Sequence, residues 1–290
     1  MTLAELVAQT ARQLDQAGVS FGHGTTNADD EAAWLVLHAL GLPLDTDPSD
    51  VYWSNRPLTS DQQAQAAIIS RARIDRRQPL AYLTREAWLQ GVPFYVDERA
   101  IVPRSLIAEC LAEGSIDPWL SEQTHRVLDL CTGNGSLAVL AALTWPEVRV
   151  DAADLSADAL AVARINVDRH GLQERIRLIE SDGLARCPGP YDLILCNPPY
   201  VNAGSMAALP PEFRAEPALA LAGGADGMDF IRPLLAGASA HLAEHGVLVL
   251  EIGHERTHFE AAFAHLDPVW LDTSAGGDQV LLLTRDQLTA

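Results

Sequence analysis

Four consecutive residues, Asn197-Pro198-Pro199-Tyr200, combine a side-chain amide, two rigid backbone units and an aromatic ring. That set suits a grip on a planar nitrogen. A primary amide nitrogen is a poor nucleophile because its lone pair is delocalised into the carbonyl. To attack an electrophilic methyl group it must be held in line, with its N–H groups anchored against acceptors that stabilise the developing positive charge. The Asn197 side-chain carbonyl and the Pro198 backbone carbonyl are two such acceptors. Consecutive prolines fix φ and stiffen the loop, and the Tyr200 ring offers a face to a flat group or a growing cation. Alignment and pre-set acceptors of this kind lower a barrier by roughly 7 to 11 kcal/mol. No tuned general base is needed before the methyl moves, because the methylated nitrogen sheds its proton easily. The four residues alone admit an amide or an aromatic amine as acceptor; a Pro-Pro loop that only ends a strand is the plainer alternative.

Three further elements precede this loop and read as a donor site. Val127-Leu-Asp-Leu-Cys-Thr-Gly-Asn-Gly-Ser136 runs from an apolar strand through a tight turn into a helix, and Gly133 and Gly135 permit close backbone approach to a ligand. Ala138 takes the third position of a dinucleotide fingerprint, which allows alanine, so the spacing leaves a nicotinamide cofactor open. Asp154 ends the second strand, 19 residues beyond Gly135, where a carboxylate can accept both hydroxyls of a ribose. Ser181-Asp182 follows the third strand, where an acid can accept from an adenine amino group. Nicotinamide chemistry has no use for Asn197-Pro198-Pro199-Tyr200, whereas S-adenosylmethionine chemistry does. Plainer roles also exist: Asp129 as a buried brace for the loop, Asp154 as a helix cap, Asp182 as a turn residue.

Stepping outward, the elements that must hold these residues change character along the chain. Helices are expected over Thr2 to Ala17, Asn27 to Leu40 and Thr59 to Arg77, the second with a cap-like Asn27 and an acidic first turn that suits the helix dipole. A β-hairpin around Gln90-Gly91 is expected within Leu83 to Val96. From Arg126 onward strands (126–130, 148–153, 176–180, 191–196, 246–252, 269–272, 279–284) alternate with helices (136–143, 156–170), which implies a mostly parallel α/β sheet covered on both faces. The organisation expected is a helical domain over 1–80, a hairpin linker over 81–100 and a cofactor-binding domain over 101–290.

Composition narrows the chemistry. Every basic residue is arginine, so no lysine is present to serve as a phosphate-loop cation, a Schiff base or a nucleophile. The formal net charge of −19 repels phosphate backbones and attracts a basic partner, or simply marks a solvated acidic surface. Cys110, Cys131, Cys187 and Cys196 lack CxxC and zinc spacing, so free thiols in a reducing compartment and no metal are expected. No apolar run reaches the roughly 18 residues of a membrane span. The first 16 residues lack a basic signal-peptide start, so a cytoplasmic protein is expected.

Together these residues resemble the HemK-like family of protein glutamine N5-methyltransferases, over nearly the whole chain. Phe21-Gly-His-Gly24, Glu31 to His38, Ala81-Tyr-Leu-Thr84, Phe94 to Arg99, Val102-Pro-Arg-Ser105 with Glu109, Leu209-Pro-Pro-Glu212 with Glu216-Pro217, and Asp278 resemble its ribosomal-protein (PrmB-type) branch. The release-factor branch reads Pro-Arg-Pro where this chain has Pro103-Arg104-Ser105. The resemblance implies a seven-stranded Rossmann-like class I S-adenosylmethionine methyltransferase sheet behind a small all-α substrate domain. It implies S-adenosylmethionine as cofactor, S-adenosylhomocysteine as product, and N5-methylation of a glutamine in the third large-subunit ribosomal protein. That partner is basic and is met before ribosome assembly, with no nucleic-acid specificity of the enzyme's own. Carried onto this chain, Asp129, Thr132, Gly133, Gly135, Asp154, Leu155, Asp182, Gly183 and Asn197 line the cofactor. Asn197, Pro198, Pro199 and Tyr200 hold the glutamine, and Arg104 and Glu109 stand at the cleft rim. Leu106, in place of the usual proline, and Gly183, in place of a bulky residue beside the adenine, depart from the pattern and imply a looser cofactor pocket. His23 reads as a turn residue of the helical domain. A release-factor enzyme, an adenine-N6 nucleic-acid methyltransferase and a non-catalytic assembly factor are the competing readings.

Overall fold

A computed structural model describes residues 1–289. They divide into two compact units: Met1–Ala87 with Pro210–Glu216, and Trp88–Leu209 with 217–289.

The first unit is helical: α1 (Leu3–Ala17), α2 (Ala28–Ala39), α3 (Val51–Ser54), α4 (Ser60–Arg76) and α5 (Leu80–Thr84). Thr2 and Thr59 open α1 and α4 with reciprocal capping boxes, and the Asn27 side chain accepts from Asp30 at the start of α2. Leu14, Val19, Ala28 and Ala32 form the shared core, with Ile74 of α4 packed against it. Buried in the same unit, Arg73 donates to Glu31 (2.7 Å), to Glu212 (3.0 Å) and to the Ser20 carbonyl (2.8 Å). Arg77 also donates to Glu212. Residues 210–216 therefore belong to this unit because their carboxylate satisfies its buried arginine. His23 is buried there too, its ring 4.2 Å from that of Phe213 and its Nε2 3.3 Å from Glu216.

The hairpin is shorter than the sequence predicts. Leu83 and Thr84 finish α5, and only β1 (Ala87–Leu89) and β2 (Val92–Phe94) pair. Gln90 and Gly91 both have positive φ (49° and 73°), the turn whose twist matches a two-stranded ribbon.

The second unit continues with α6 (Ile107–Glu113), β3 (Arg126–Leu130), α7 (Ser136–Thr144), β4 (Arg149–Asp154), α8 (Ala157–Arg169), β5 (Ile176–Glu180) and β6 (Tyr191–Cys196). There follow α9 (Ala203–Ala208), α11 (Ile231–His241), β7 (Leu242–Glu251), α12 (Arg256–Ala262), β8 (Val269–Thr273) and β9 (Gly276–Thr284), while α10 (Pro211–Arg214) lies in the segment given to the first unit. The seven strands run in the order β5-β4-β3-β6-β7-β9-β8. The first five are parallel and β9 is antiparallel to both neighbours. Strand interiors are continuous apolar runs because helices cover both faces, and the buried residues form two clusters. The fifth large strand starts at Leu242, ahead of the expected Gly246, since a register shift near Tyr191 lets the earlier residues pair. This is the class I methyltransferase sheet. No helix among the described residues is long and apolar enough to cross a membrane.

Candidate active site

Strand order explains why four dispersed segments meet. The carboxyl ends of β5, β4, β3 and β6 lie side by side, and loops 181–183, 154–156, 131–135 and 197–200 leave from them in that sequence.

The glycine turn is built tightly. Gly133 (φ 55°) and Gly135 (φ 82°) both lie in the left-handed region, and a Cβ on Gly135 would stand 3.1 Å from that of Ala163 on α8. Asp129, buried at the end of β3, accepts from the Thr132 hydroxyl and from the Ala138 N–H (2.9 Å) through Oδ2. Its Oδ1 is buried without a partner among the described residues. Burial, set against those bonds, pushes its carboxyl up to about 7. Asp154 accepts from the Gly133 N–H and the Ser156 N–H, both at 2.8 Å, and burial raises its carboxyl above the ordinary range. Helix α8 is capped by Ser156, not by Asp154.

Beyond Asp154, Leu155 is 52% exposed, an apolar face beside a polar anchor. Asp182 is exposed at its loop. Gly183 has φ 51°, and a Cβ there would lie 4.0 Å from the Phe230 ring.

Asn197 and Tyr200 are half-buried and Pro198 is buried. The backbone after Tyr200 is stitched to the segment after Leu221 by Val201 N–H to Leu221 carbonyl (2.8 Å) and Gly223 N–H to Val201 carbonyl (2.9 Å). Tyr200 sits in a glycine nest. A Cβ on Gly223 would come within 2.7 Å of the Tyr200 backbone, and one on Gly253 within 2.5 Å of its ring. The phenol donates to Glu251 Oε1 at 3.2 Å. Asn202 donates to buried Glu255 at 2.7 Å, fixing the far end of the loop.

The two rim residues divide. Arg104 is half-buried on the loop before α6 and donates to the Val102 carbonyl. Glu109 is engaged by another turn: its two oxygens accept from the backbone and hydroxyl of Ser274 at 2.7 Å, between β8 and β9.

Sequence reasoning passed over Glu251 and Asn166. Fully buried Asn166 on α8 donates to the Tyr95 (2.9 Å) and Asn134 (2.8 Å) carbonyls and accepts from Tyr95 N–H, so it braces the glycine turn from behind. Its signal was a polar residue on an otherwise apolar helix face.

These residues fit S-adenosylmethionine: an unpartnered buried carboxylate oxygen at Asp129 beside a glycine turn, then an acid and an exposed leucine toward the sheet edge. The free oxygen suits a cation, as the amino acid end of that cofactor carries.

Comparison with known proteins bears on the whole chain. The family described as "Methyltransferase small domain" matches residues 116–224. A protein of Bordetella pertussis named ribosomal protein uL3 glutamine methyltransferase is 55% identical over 99% of this chain and 96% of its own length. One of the same name from Burkholderia pseudomallei is 52% identical over 100% of this chain and 96% of its own. Among solved structures, the catalytic domain of hMettl16 in complex with MAT2A 3'UTR hairpin 6 superposes with a TM-score of 0.53 at 12% identity, covering 77% of this chain and 80% of that one. That likeness shows the fold alone.

Proposed function

The chain belongs to the family of ribosomal protein uL3 glutamine methyltransferases, and from that we propose how its residues divide the work on one glutamine of uL3. The enzyme uses S-adenosylmethionine, which when bound supplies an electrophilic methyl on a sulfonium, and the acceptor is the side-chain amide nitrogen, N5. Asp129, Thr132, Gly133 and Gly135 hold the amino acid end of the cofactor, Asp154 its ribose, and Leu155, Asp182 and Gly183 its base.

Asn197 and the Pro198 carbonyl accept the two N–H groups of the glutamine amide and turn its nitrogen toward the donor. Tyr200 closes over the flat amide. Because these acceptors are set before the substrate arrives, little reorganisation accompanies the growth of positive charge on nitrogen. The departing proton passes to solvent after transfer. Arg104 stands at the rim. The acidic chain attracts a basic ribosomal protein, free in the cytoplasm before assembly.

The observation that carries this reading is the adjacency of the Asn197 loop and the glycine turn on neighbouring strands, in a chain whose full-length relatives are named for uL3. Methyl transfer from labelled cofactor to recombinant unmodified uL3 tests it, with mass spectrometry locating one methyl on one glutamine. Labelling of a release factor in place of uL3 would sink it.

A further inference from the structure

Glu251 ends β7 and is only 3% exposed, and its carboxylate accepts from the start of α6 and from Tyr200. Oε2 accepts from the Ser105 hydroxyl at 2.6 Å and the Leu106 N–H at 2.9 Å, with Ile107 N–H at 3.5 Å. Oε1 accepts from the Tyr200 phenol at 3.2 Å. A buried carboxylate with only structural work would be satisfied by the turn opening α6, where N–H groups point outward. One oxygen does that. The other reaches the aromatic ring of the acceptor loop.

The departure at Leu106 belongs to the same device. The Leu106 N–H is one of the donors to Glu251, and a proline at this position could not supply it. Gly253, two residues on, has no Cβ, and one there would stand 2.5 Å from the ring, so the glycine admits the ring at this position.

Resting on the functional reading above, we propose that Glu251 is a positioning residue for methyl transfer, joining the Arg104 loop to Tyr200 through one carboxylate so that rim and acceptor loop are set together. It touches neither substrate nor cofactor. Its effect is on the tilt of the ring against the amide, so it falls on kcat and leaves cofactor affinity largely intact.

The test is a mutant cycle on methyl transfer to uL3, with cofactor affinity by calorimetry and fold by circular dichroism. Glu251→Ala is expected to lower kcat roughly 10- to 100-fold, the scale of a small misplacement at a reacting centre, with cofactor affinity within about threefold. Tyr200→Phe removes the same bond from the other side and should itself lower kcat roughly 10-fold, so that the product of the singles stands well apart from Glu251→Ala alone. The double variant should therefore be no worse than Glu251→Ala by more than about twofold. Glu251→Gln, which keeps an oxygen for Ser105 and Leu106 and an NH2 for the phenol oxygen, should recover most of the rate. If Glu251→Ala does not fold, Ser105→Ala replaces it in the cycle. A kcat within about twofold of wild type for the Ala variant, or a double variant equal to the product of the singles, overturns the inference. A wild-type enzyme inactive on uL3 overturns the functional reading and this inference with it, a result distinguishable from an active wild type with an indifferent Glu251.

Discussion

The Gly133 N–H donates to Asp154 Oδ2 at 2.8 Å, so the acid at the end of one strand holds the glycine turn at the end of its neighbour. A carboxylate oxygen has two acceptor sites, so Asp154 can hold this turn and still receive ribose hydroxyls. The two tasks are then inseparable by simple truncation. Asp154→Ala is expected to weaken cofactor binding about 10- to 100-fold, the equivalent of losing hydrogen bonds to a charged group. Asp154→Asn, with one oxygen remaining, should fall between it and wild type. Titration calorimetry with S-adenosylhomocysteine measures both, and equal affinity in all three proteins would remove Asp154 from the site.

Asp129 gives the site a pH dependence whose sign follows from its burial. Its carboxyl stands at about 7 in the folded protein against 3.8 when exposed. Below 3.8 the proton is held in both states and the group costs no stability. As pH rises from there through 7, the folded state ionises later than the unfolded one and stability is lost. A cationic ligand beside the free oxygen favours the ionised form. Cofactor affinity should therefore climb with pH to about 7 and then level, falling up to about tenfold per unit on the acid side. Asp129→Asn should flatten that profile, bind cofactor more weakly at pH 8 and raise the ligand-free melting temperature there. Calorimetry at pH 6, 7 and 8 with melts at pH 8 checks all three.

Which parts of this arrangement were legible follows from where the physics is local. Strand runs such as Val127 to Leu130 and the cap at Asn27 carry their signals within a few residues, and they form as expected. The glycine turn and the Asn197 loop were equally local, and the parallel order of β3 and β6 brings them together. Arg73 was unreadable as a buried residue because its partner Glu212 is 139 positions away. Glu251 was unreadable for the same reason, with Ser105 146 positions distant. Glu109 shows the converse: a residue placed near a motif in sequence spends its carboxylate on Ser274, 165 positions on. A charged side chain announces a need for partners and not which partners meet it.

Asn197 separates acceptor geometry from donor binding. Asn197→Ala removes one acceptor proposed for the amide N–H and should lower kcat about 10²- to 10³-fold, the cost of removing one such group. The loop backbone is held independently through Val201, Gly223 and Asn202, so the variant should fold and bind cofactor within a few-fold of wild type. Single-turnover transfer to uL3 measures the step. Full-rate transfer by the variant would overturn the assignment.

The helical unit should be sensitive to acid through Glu212. Its side chain is fully buried, and the Arg77 and Arg73 guanidinium groups overcome the penalty of burial to hold its carboxyl at about 2, below its ordinary 4.5. The stabilisation is fully present above pH 4.5 and is lost as pH falls from there through 2. Glu212→Gln leaves Arg73 buried with one carboxylate partner fewer, and breaking a buried pair this way costs about 3–5 kcal/mol at neutral pH. Denaturant melts at pH 7 should show that loss, and the gap between variant and wild type should close toward pH 3.

Gly253→Ala tests whether the nest around Tyr200 matters to the chemistry. Gly253 has φ 53°, already unfavourable for a side chain, and an added Cβ would stand 2.5 Å from the Tyr200 ring, closer than atoms tolerate. Either the ring tilts or the chain after β7 shifts, and both would loosen the contact proposed between the ring and the glutamine amide. The glycine turn and Asp154 lie on other strands, so cofactor affinity should stay within about threefold while kcat drops roughly 10- to 100-fold. Gly171→Ala is the control: it also has positive φ (67°), but its Cβ would meet nothing within 4 Å, so it carries the backbone strain without the clash. If both variants lose rate equally, strain in the chain explains the loss. If only Gly253→Ala does, the position of the Tyr200 ring sets the rate of transfer.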